Sequence, residues 1–272
     1  MPTVRPPAVA GMFYPLSPVT LGAEVHGYLD QAPPPPAAAP PPAHMRPKAL
    51  MVPHAGYVYS GAIAAAAYRL LADRAGEIRR VVLLGPAHRV RIRGLAVPSV
   101  EAFATPLGEV EIDRAAVVRA LGLPQVTESD RAHLHEHSLE VQLPFLQTLL
   151  PQFRLVPFAV GEASAAEVAD GIELLWGGPE TLIVISSDLS HYHPYEEARA
   201  IDRSSAQTVL NLSPTLDYAQ ACGAMPINGL LRVAARRGLR PELLDLRNSG
   251  DTAGDKLRVV GYAAFAFREA DA

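Results

Sequence analysis

The chain has 272 residues, 49% of them hydrophobic, with a formal net charge of −4 and a pI near 6.1. That is ample apolar material for one large core, and the charge balance excludes the basic field that gathers nucleic acid or an anionic membrane surface. No run approaches the ~18 apolar residues of a spanning helix, the N-terminus MPTVRPPAVAGMFYP lacks a signal-peptide core, and one cysteine, Cys222, excludes an internal disulfide framework; a cytoplasmic protein is expected.

In chain order, a helix is expected near residues 19–31, followed by PPPPAAAPPPA at 33–43. Proline lacks an amide donor and favours polyproline II, so this run reads as a surface loop leading into the first core strand. Next come a strand at 48–53, a helix at 60–75 with Ile63, Ala67, Leu70 and Leu71 on one face, and strands at 80–85 and 94–98. Helices at 113–121 and 138–150, a strand at 154–160, a helix at 164–176 and a strand at 181–186 continue the alternation. Gly177–Pro179 reads as a helix stop and turn. Helices at 195–211 and 226–237 precede a last run at 258–267, VVGYAAFAF, whose loose alternation suits an antiparallel or edge position. Strands alternating with helices predict a single α/β domain over 1–272, with a mostly parallel or mixed sheet covered on both faces. No GxxxxGK[ST] or GxGxxG pattern is present, which argues against a phosphate-cradling nucleotide site.

Three strand-like runs end in histidine-bearing turns. KALMV leads into Pro53-His54-Ala55-Gly56, VVLLG into Pro86-Ala87-His88, and TLIVIS into Ser187-Asp188-Leu189-Ser190-His191. The carboxyl ends of strands form the ligand crevice of an open α/β sheet, so His54, His88 and His191 are expected on one rim. Three imidazoles and a carboxylate there suit a mononuclear metal site. Taken singly, His54 or His88 reads equally well as a core histidine bonded to carbonyls; the pair on successive strand ends favours a site. Asp188 and His191 are ligands, an acid/base pair, or an N-cap with a polar neighbour. His193, before Pro194, reads as solvent-facing. In HLHEHSLEVQLPF, His133 and His137 have the i, i+4 spacing of a zincin, but Leu-His-Glu lies between them in a loop-like stretch, which rules that motif out. Ser138 is a candidate helix cap, His133 and His135 read as solvated, and His137, Glu140 and Tyr57 are candidates for supporting the site or binding substrate. Cys222, in CGAMPING, is a small buried hydrophobe, a thiolate ligand or a nucleophile; spacing leaves a Cys222–His191–Asp188 nucleophilic site open.

AGMFYP, PHAGYVYSG, LLGPAH, FATPLGEVEID, EHSLEVQLPFL, ISSDLSHYHPY, CGAMPINGLL and VVGYAAFAF follow one another along nearly the whole chain. In this order they resemble the Memo family, whose prokaryotic members carry the name AmmeMemoRadiSam system protein B. The resemblance implies a fold similar to class III extradiol dioxygenases, non-haem iron enzymes that open catechol rings. It implies a pocket at His54, His88, Asp188, His191 and Cys222, in which His54, His88 and Cys222 hold iron or copper and His191, with Asp188, serves acid/base chemistry. Those dioxygenases use a glutamate where the resemblance places Cys222. Two imidazoles and one anion with open positions suit Fe(II), while thiolate shifts preference toward softer Cu(I) or Zn. Fe(II) is thus the expected cofactor, with Cu or Zn as alternatives.

Two functions from different classes follow. One is a metal-dependent redox or dioxygenase-like enzyme acting on a small-molecule substrate. The other is a non-catalytic binding or adaptor module that captures a peptide or partner protein, as proposed for family members toward phosphotyrosine peptides. Phosphate recognition calls for arginines, and RVRIRG at Arg89–Gly94 is the nearby basic segment, which reads as a solvated turn. A cysteine hydrolase lacks an evident oxyanion arrangement. The family's system name implies a pathway link to a radical SAM protein; neither nucleic acid nor membrane is an expected partner.

Overall fold

Four apolar runs lie at the centre of the molecule because strands covered on both faces have no solvent side to keep polar. In the computed structural model, which describes residues 3–33 and 46–269, these are β2 (Pro47–Val52), β3 (Arg80–Pro86), β8 (Arg154–Val160) and β9 (Thr181–Ser186). They pair in parallel in the order β2-β9-β3-β8. Beyond β8 the sheet continues through β4 (Leu95–Val97), antiparallel to β8, and β7 (Val126–Glu128). Beyond β2 comes β12 (Val259–Arg268), antiparallel, which also pairs antiparallel with β10 (His191–His193) at its start and with β11 (Arg240–Asn248) along its length. The last apolar run is therefore antiparallel, as its pattern suggested, but interior rather than an edge. A separate three-stranded sheet joins β1 (Val4–Arg5) to the hairpin of β5 (Ala102–Thr105) and β6 (Gly108–Glu111).

The helices cover the sheet in groups. α1 (Pro18–Gln31), α2 (Tyr57–Tyr68) and α5 (Leu143–Leu149) pack together, with α2 over β2 and β12. α6 (Ala165–Leu174) packs on α8 (Ala224–Arg237), which lies over β3 and β9, and α7 (Tyr195–Leu210) covers β11 and β12. Short helices α3 (Arg114–Ala120), α4 (Asp130–Leu134) and α9 (Ser249–Thr252) fill the connections. Local chemistry sets the ends. Ser17 caps α1 ahead of Pro18, Ser164 and Glu167 form a reciprocal capping box on α6, and α8 stops at Gly238 in the left-handed region. No described helix is long and apolar enough to cross a membrane. Of the Pro/Ala-rich run expected as a surface loop, 34–43 lies outside the described residues.

Two helices begin or end differently from expectation. The 60–75 run is α2 followed by a 3-10 turn at Arg69–Arg74. The 138–150 run starts as a 3-10 turn at Glu140–Gln142 and becomes α-helical only at Leu143, with Pro144 in the first turn, where a missing amide costs nothing. Ser138 does not cap it: its hydroxyl donates to Pro86 O instead.

Glu140 explains much of this. It is fully buried and pairs with the equally buried Arg5 at 2.7 Å. Its two oxygens also accept from the amides of Ala8 and Val9 and from the Tyr14 hydroxyl. One carboxylate thus fastens the stretch from Arg5 to Tyr14 across the α5 approach. Glu140→Ala leaves the Arg5 guanidinium buried without its counter-charge, which costs about 3–5 kcal/mol. Urea unfolding is expected to show a loss of that size; a loss under about 1 kcal/mol, as for an exposed pair, would contradict it.

Candidate metal centre

Parallel strands deliver their carboxyl ends to one rim. His54 lies two residues beyond β2, His88 two beyond β3 and Asp188 two beyond β9. Cys222 reaches the same rim from the turn before α8. Its neighbour Gly223 donates its amide to Ser187 Oγ, so close to that side chain that a Cβ there would collide with it. One ligand atom from each of His54, His88 and Cys222 lies within 4.8 Å of the other two, and Cys222 Sγ is 3.4 Å from His54 Nε2.

Hydrogen bonds decide which ring nitrogens are available. Ser186 Oγ spends its one proton on Ser138 O at 2.6 Å and accepts from Gln142 Nε2. His54 Nδ1, 3.0 Å from the same oxygen, must therefore be the donor, which leaves a lone pair on Nε2. His88 Nδ1 lies 2.9 Å from Glu136 Oε1, and Glu136 Oε2 also takes the His88 amide. Glu136 is buried but held well below the usual carboxylate range, at about 2, by its bonds to His88 and Ser138 against the opposing effect of desolvation. As an anion it only accepts, so His88 too is protonated on Nδ1 and open at Nε2. His191 donates Nδ1–H to Leu189 O at 2.8 Å and likewise keeps Nε2 free.

Burial disfavours charge on several groups of the cluster. Burial lowers His54 to about 3 and His137 to about 4, and burial with the Asp188 charge pushes the Cys222 thiol up to about 12. Burial also raises Asp188, whose side chain stands 4.0 Å from His54 Nε2. Two imidazole lone pairs beside a thiol and a buried carboxyl group form a donor set that fits a borderline or soft divalent ion.

Two cavities flank the donors. One of about 530 Å³ is lined by His88, His191, Tyr192, Tyr218 and Cys222, the other of about 320 Å³ by Phe13, His137, Asp188, His191 and Tyr192. A larger cavity of about 610 Å³ lies at the opposite rim among Arg79, Arg80 and Arg154, away from every candidate ligand.

The expected residues distribute unevenly. His54, His88, Asp188, His191 and Cys222 meet, and His137 joins them, stacked on His88 with centroids 4.7 Å apart and 5.4 Å from His54. Asp188 does not orient His191: it accepts the His54 amide at 2.7 Å, and a carbonyl holds His191. Glu140 is a structural anchor rather than a site residue. Tyr57 is buried with its hydroxyl on Val141 O, so it supports the core, not substrate. His133, expected in solvent, is 2% exposed and donates Nε2–H to Ala96 O; His135 is exposed as expected. Glu136 is the residue that sequence reasoning missed. Its signal, a carboxylate between His135 and His137, is ordinary in a polar loop.

The sequence profile described as Memo-like protein matches residues 5–266. The chain belongs to the Memo family. Among curated relatives, MEMO1 family proteins of Sulfolobus acidocaldarius, Aquifex aeolicus and Archaeoglobus fulgidus are 36%, 38% and 37% identical, each covering 97% of this chain and 99%, 99% and 100% of their own. Among solved structures, an uncharacterized protein, JW3007, from Escherichia coli K12 shares the fold at 15% identity and a TM-score of 0.54, over 80% of this Memo protein and 99% of that chain.

Burial lowers His133 to about 4 from an unfolded value near 6.5. Below pH ~6.5 the unfolded chain takes up a proton that the fold refuses, so this residue's stabilising contribution is lost as pH falls toward 4. His133→Asn is expected to be less stable than wild type at pH 7, with the gap narrowing as pH falls from about 6.5 to 4 in urea titrations. A gap that stays constant or widens would refute the assignment.

Proposed function

We propose that this protein is a mononuclear metal-dependent oxidoreductase that takes Fe(II) on His54 Nε2, His88 Nε2 and the Cys222 thiolate and acts on a small organic substrate in the adjoining cavities. The observation that carries this reading is the pair of assigned tautomers: both Nδ1 protons are committed to Ser186 and Glu136, so both Nε2 lone pairs are left beside one sulfur. When bound, the metal supplies one-electron chemistry and open positions for O2 or substrate.

The chain's own groups do the rest. Cys222 Sγ lies 3.4 Å from His54 Nε2 and 3.6 Å from Asp188 O, and a cation on the sulfur would take the place of the thiol proton. Glu136 and Ser186 keep the two imidazoles aimed. His191, partly exposed and common to both cavities, accepts a proton from substrate at Nε2 and later returns it. Its Nδ1–H bond to Leu189 O holds the tautomer that this task needs.

Anaerobic purification with elemental analysis tests the reading directly. Iron near one equivalent supports it; copper or zinc instead would keep the donor set and change the chemistry; a clean apo protein unable to take up Fe(II) would favour a peptide- or protein-binding module. Cys222→Ser and Glu136→Gln are both expected to weaken metal binding, the second about 10–100-fold through misorientation of His88. His191→Ala is expected to retain metal and lose turnover. The reverse pattern would show the roles exchanged. With His54 already neutral at pH 7 and the thiol protonated, uptake should release about one proton per ion, read by calorimetry in buffers of different ionisation enthalpy.

A further inference from the structure

Two buried cations stand at the amino rim of the sheet, at the far end of the strands from the histidines. Lys48, the second residue of β2, and Arg74, the last of the 3-10 turn after α2, are each 4% exposed. Lys48 Nζ spends its three protons on Trp176 O, Gly178 O and Thr181 O at 2.8, 2.7 and 2.8 Å. Arg74 donates through Nη1 to Pro47 O and through Nη2 to Pro179 O. Carbonyls satisfy donors but bring no counter-charge, and among the described residues no carboxylate forms an ion pair with either side chain. A buried charge without an opposite partner is costly. Burial accordingly lowers Lys48 to about 8, against the pull of Glu180 and Glu269 and with repulsion from Arg74 added.

Both cations line one cavity of about 260 Å³, together with Arg46, Glu77 and Glu269. Three cations against two carboxylates leave one net positive charge there. Arg46 Nη1 takes up Glu77 at 2.6 Å, and Glu269 is exposed to water, so the surplus rests on the buried pair. The two lining guanidiniums also each keep one buried N–H, Nε of Arg46 and Nε of Arg74, without a partner among the described residues. A buried donor left unpaired carries its full desolvation cost, which a bound acceptor relieves. Bonds from a guanidinium to an ionised oxygen are the strong ones. The volume falls below the roughly 300–1,000 Å³ of sites for larger molecules and suits a small ion or the end group of a short one.

We propose that this cavity binds a phosphate-class oxyanion, either the free ion or the phosphate group of a small ester, with Arg46 and Arg74 donating Nε–H to its oxygens and Lys48 contributing charge. Arg46 stands ahead of β2 and Arg74 on the turn after α2, so the two donors come from separate elements. A tetrahedral ion offers oxygens in several directions and reaches both; a planar carboxylate offers two oxygens in one plane and a single charge. The site is independent of the metal-site reading, because Lys48 and His54 lie at opposite ends of β2.

The test titrates inorganic phosphate, glycerol 3-phosphate and acetate calorimetrically into wild type, Arg46→Gln, Arg74→Gln, Glu269→Gln and His88→Ala, with melting temperatures recorded on the same samples. Wild type is expected to bind at least one phosphate probe, to melt higher in its presence, and to bind acetate more weakly. Arg46→Gln and Arg74→Gln are each expected to bind about tenfold more weakly, the loss of one charge-assisted hydrogen bond. Arg46 has a side chain 25% exposed, so its variant decides the matter even if Arg74→Gln fails to fold. Glu269→Gln is expected to bind at least as tightly as wild type, and His88→Ala equally tightly. Tighter glycerol 3-phosphate identifies an ester as the source, and tighter inorganic phosphate the free ion. No phosphate binding to wild type, acetate bound as tightly, undiminished affinity in Arg46→Gln, weaker binding in Glu269→Gln, or a loss in His88→Ala matching that in Arg46→Gln would each overturn the proposal.

Discussion

Four alternate side chains on one short segment, Glu136, Ser138, Glu140 and Gln142, hold the site together, and none is more than 1% exposed. Glu136 grips His88 beyond β3. Ser138 gives its hydroxyl to Pro86 O and its carbonyl to Ser186 at the end of β9. Gln142 donates to Pro53 O and to Ser186 Oγ, and its own oxygen accepts from the Tyr68 hydroxyl. Glu140 fastens the N-terminal residues that bring Phe13 to within 4.9 Å of the His137 ring. The segment is too polar to be core and too buried to be loop. Each group tolerates burial because its partners satisfy it, and a half-satisfied network would be worse than an apolar one. The ends of three strands are thereby fixed relative to one another by bonds and not by packing alone.

That bracing has an electrostatic counterpart. Its one committed anion near the donors, Glu136, is spent on orienting an imidazole, while desolvation keeps the thiol and Asp188 toward their neutral forms. A buried thiolate or carboxylate with no cation would be expensive. Burial therefore leaves the Cys222 thiol protonated and His54 and His137 without a proton to lose at pH 7, so that a cation would meet neutral donors there.

The central strands were legible because burial on both faces leaves an unbroken apolar run, and His54 and His88 because they close such runs. β11 was not: its residues are mostly half-buried and it pairs only with β12, so RPELLDLRN carries no clean period. The β5–β6 hairpin is four residues a side, too short for alternation to stand out. β10 reads His-Tyr-His, which no strand propensity marks. Among site residues, the misreadings share a cause. Glu140 finds Arg5 135 residues away, His133 finds Ala96 O 37 away, and Glu136 finds His88 48 away. A polar residue whose partner is distant looks locally like a solvated one. His191 lies at the expected strand end, but what holds its ring is a backbone carbonyl two residues off, which leaves no trace in side-chain spacing.

The donors themselves are far apart along the chain, Cys222 standing 168 positions after His54. During synthesis the first two imidazoles emerge long before the sulfur does, and β9, which lies between β2 and β3, is made later than both. An ion offered early would meet a partial site with no thiol. On the proposed metal reading, loading would belong to the end of maturation, once α8 has docked and Cys222 has reached the rim. Unlike a zinc finger, where the metal drives folding, this chain has to build its sheet first, and its core must be stable enough to wait.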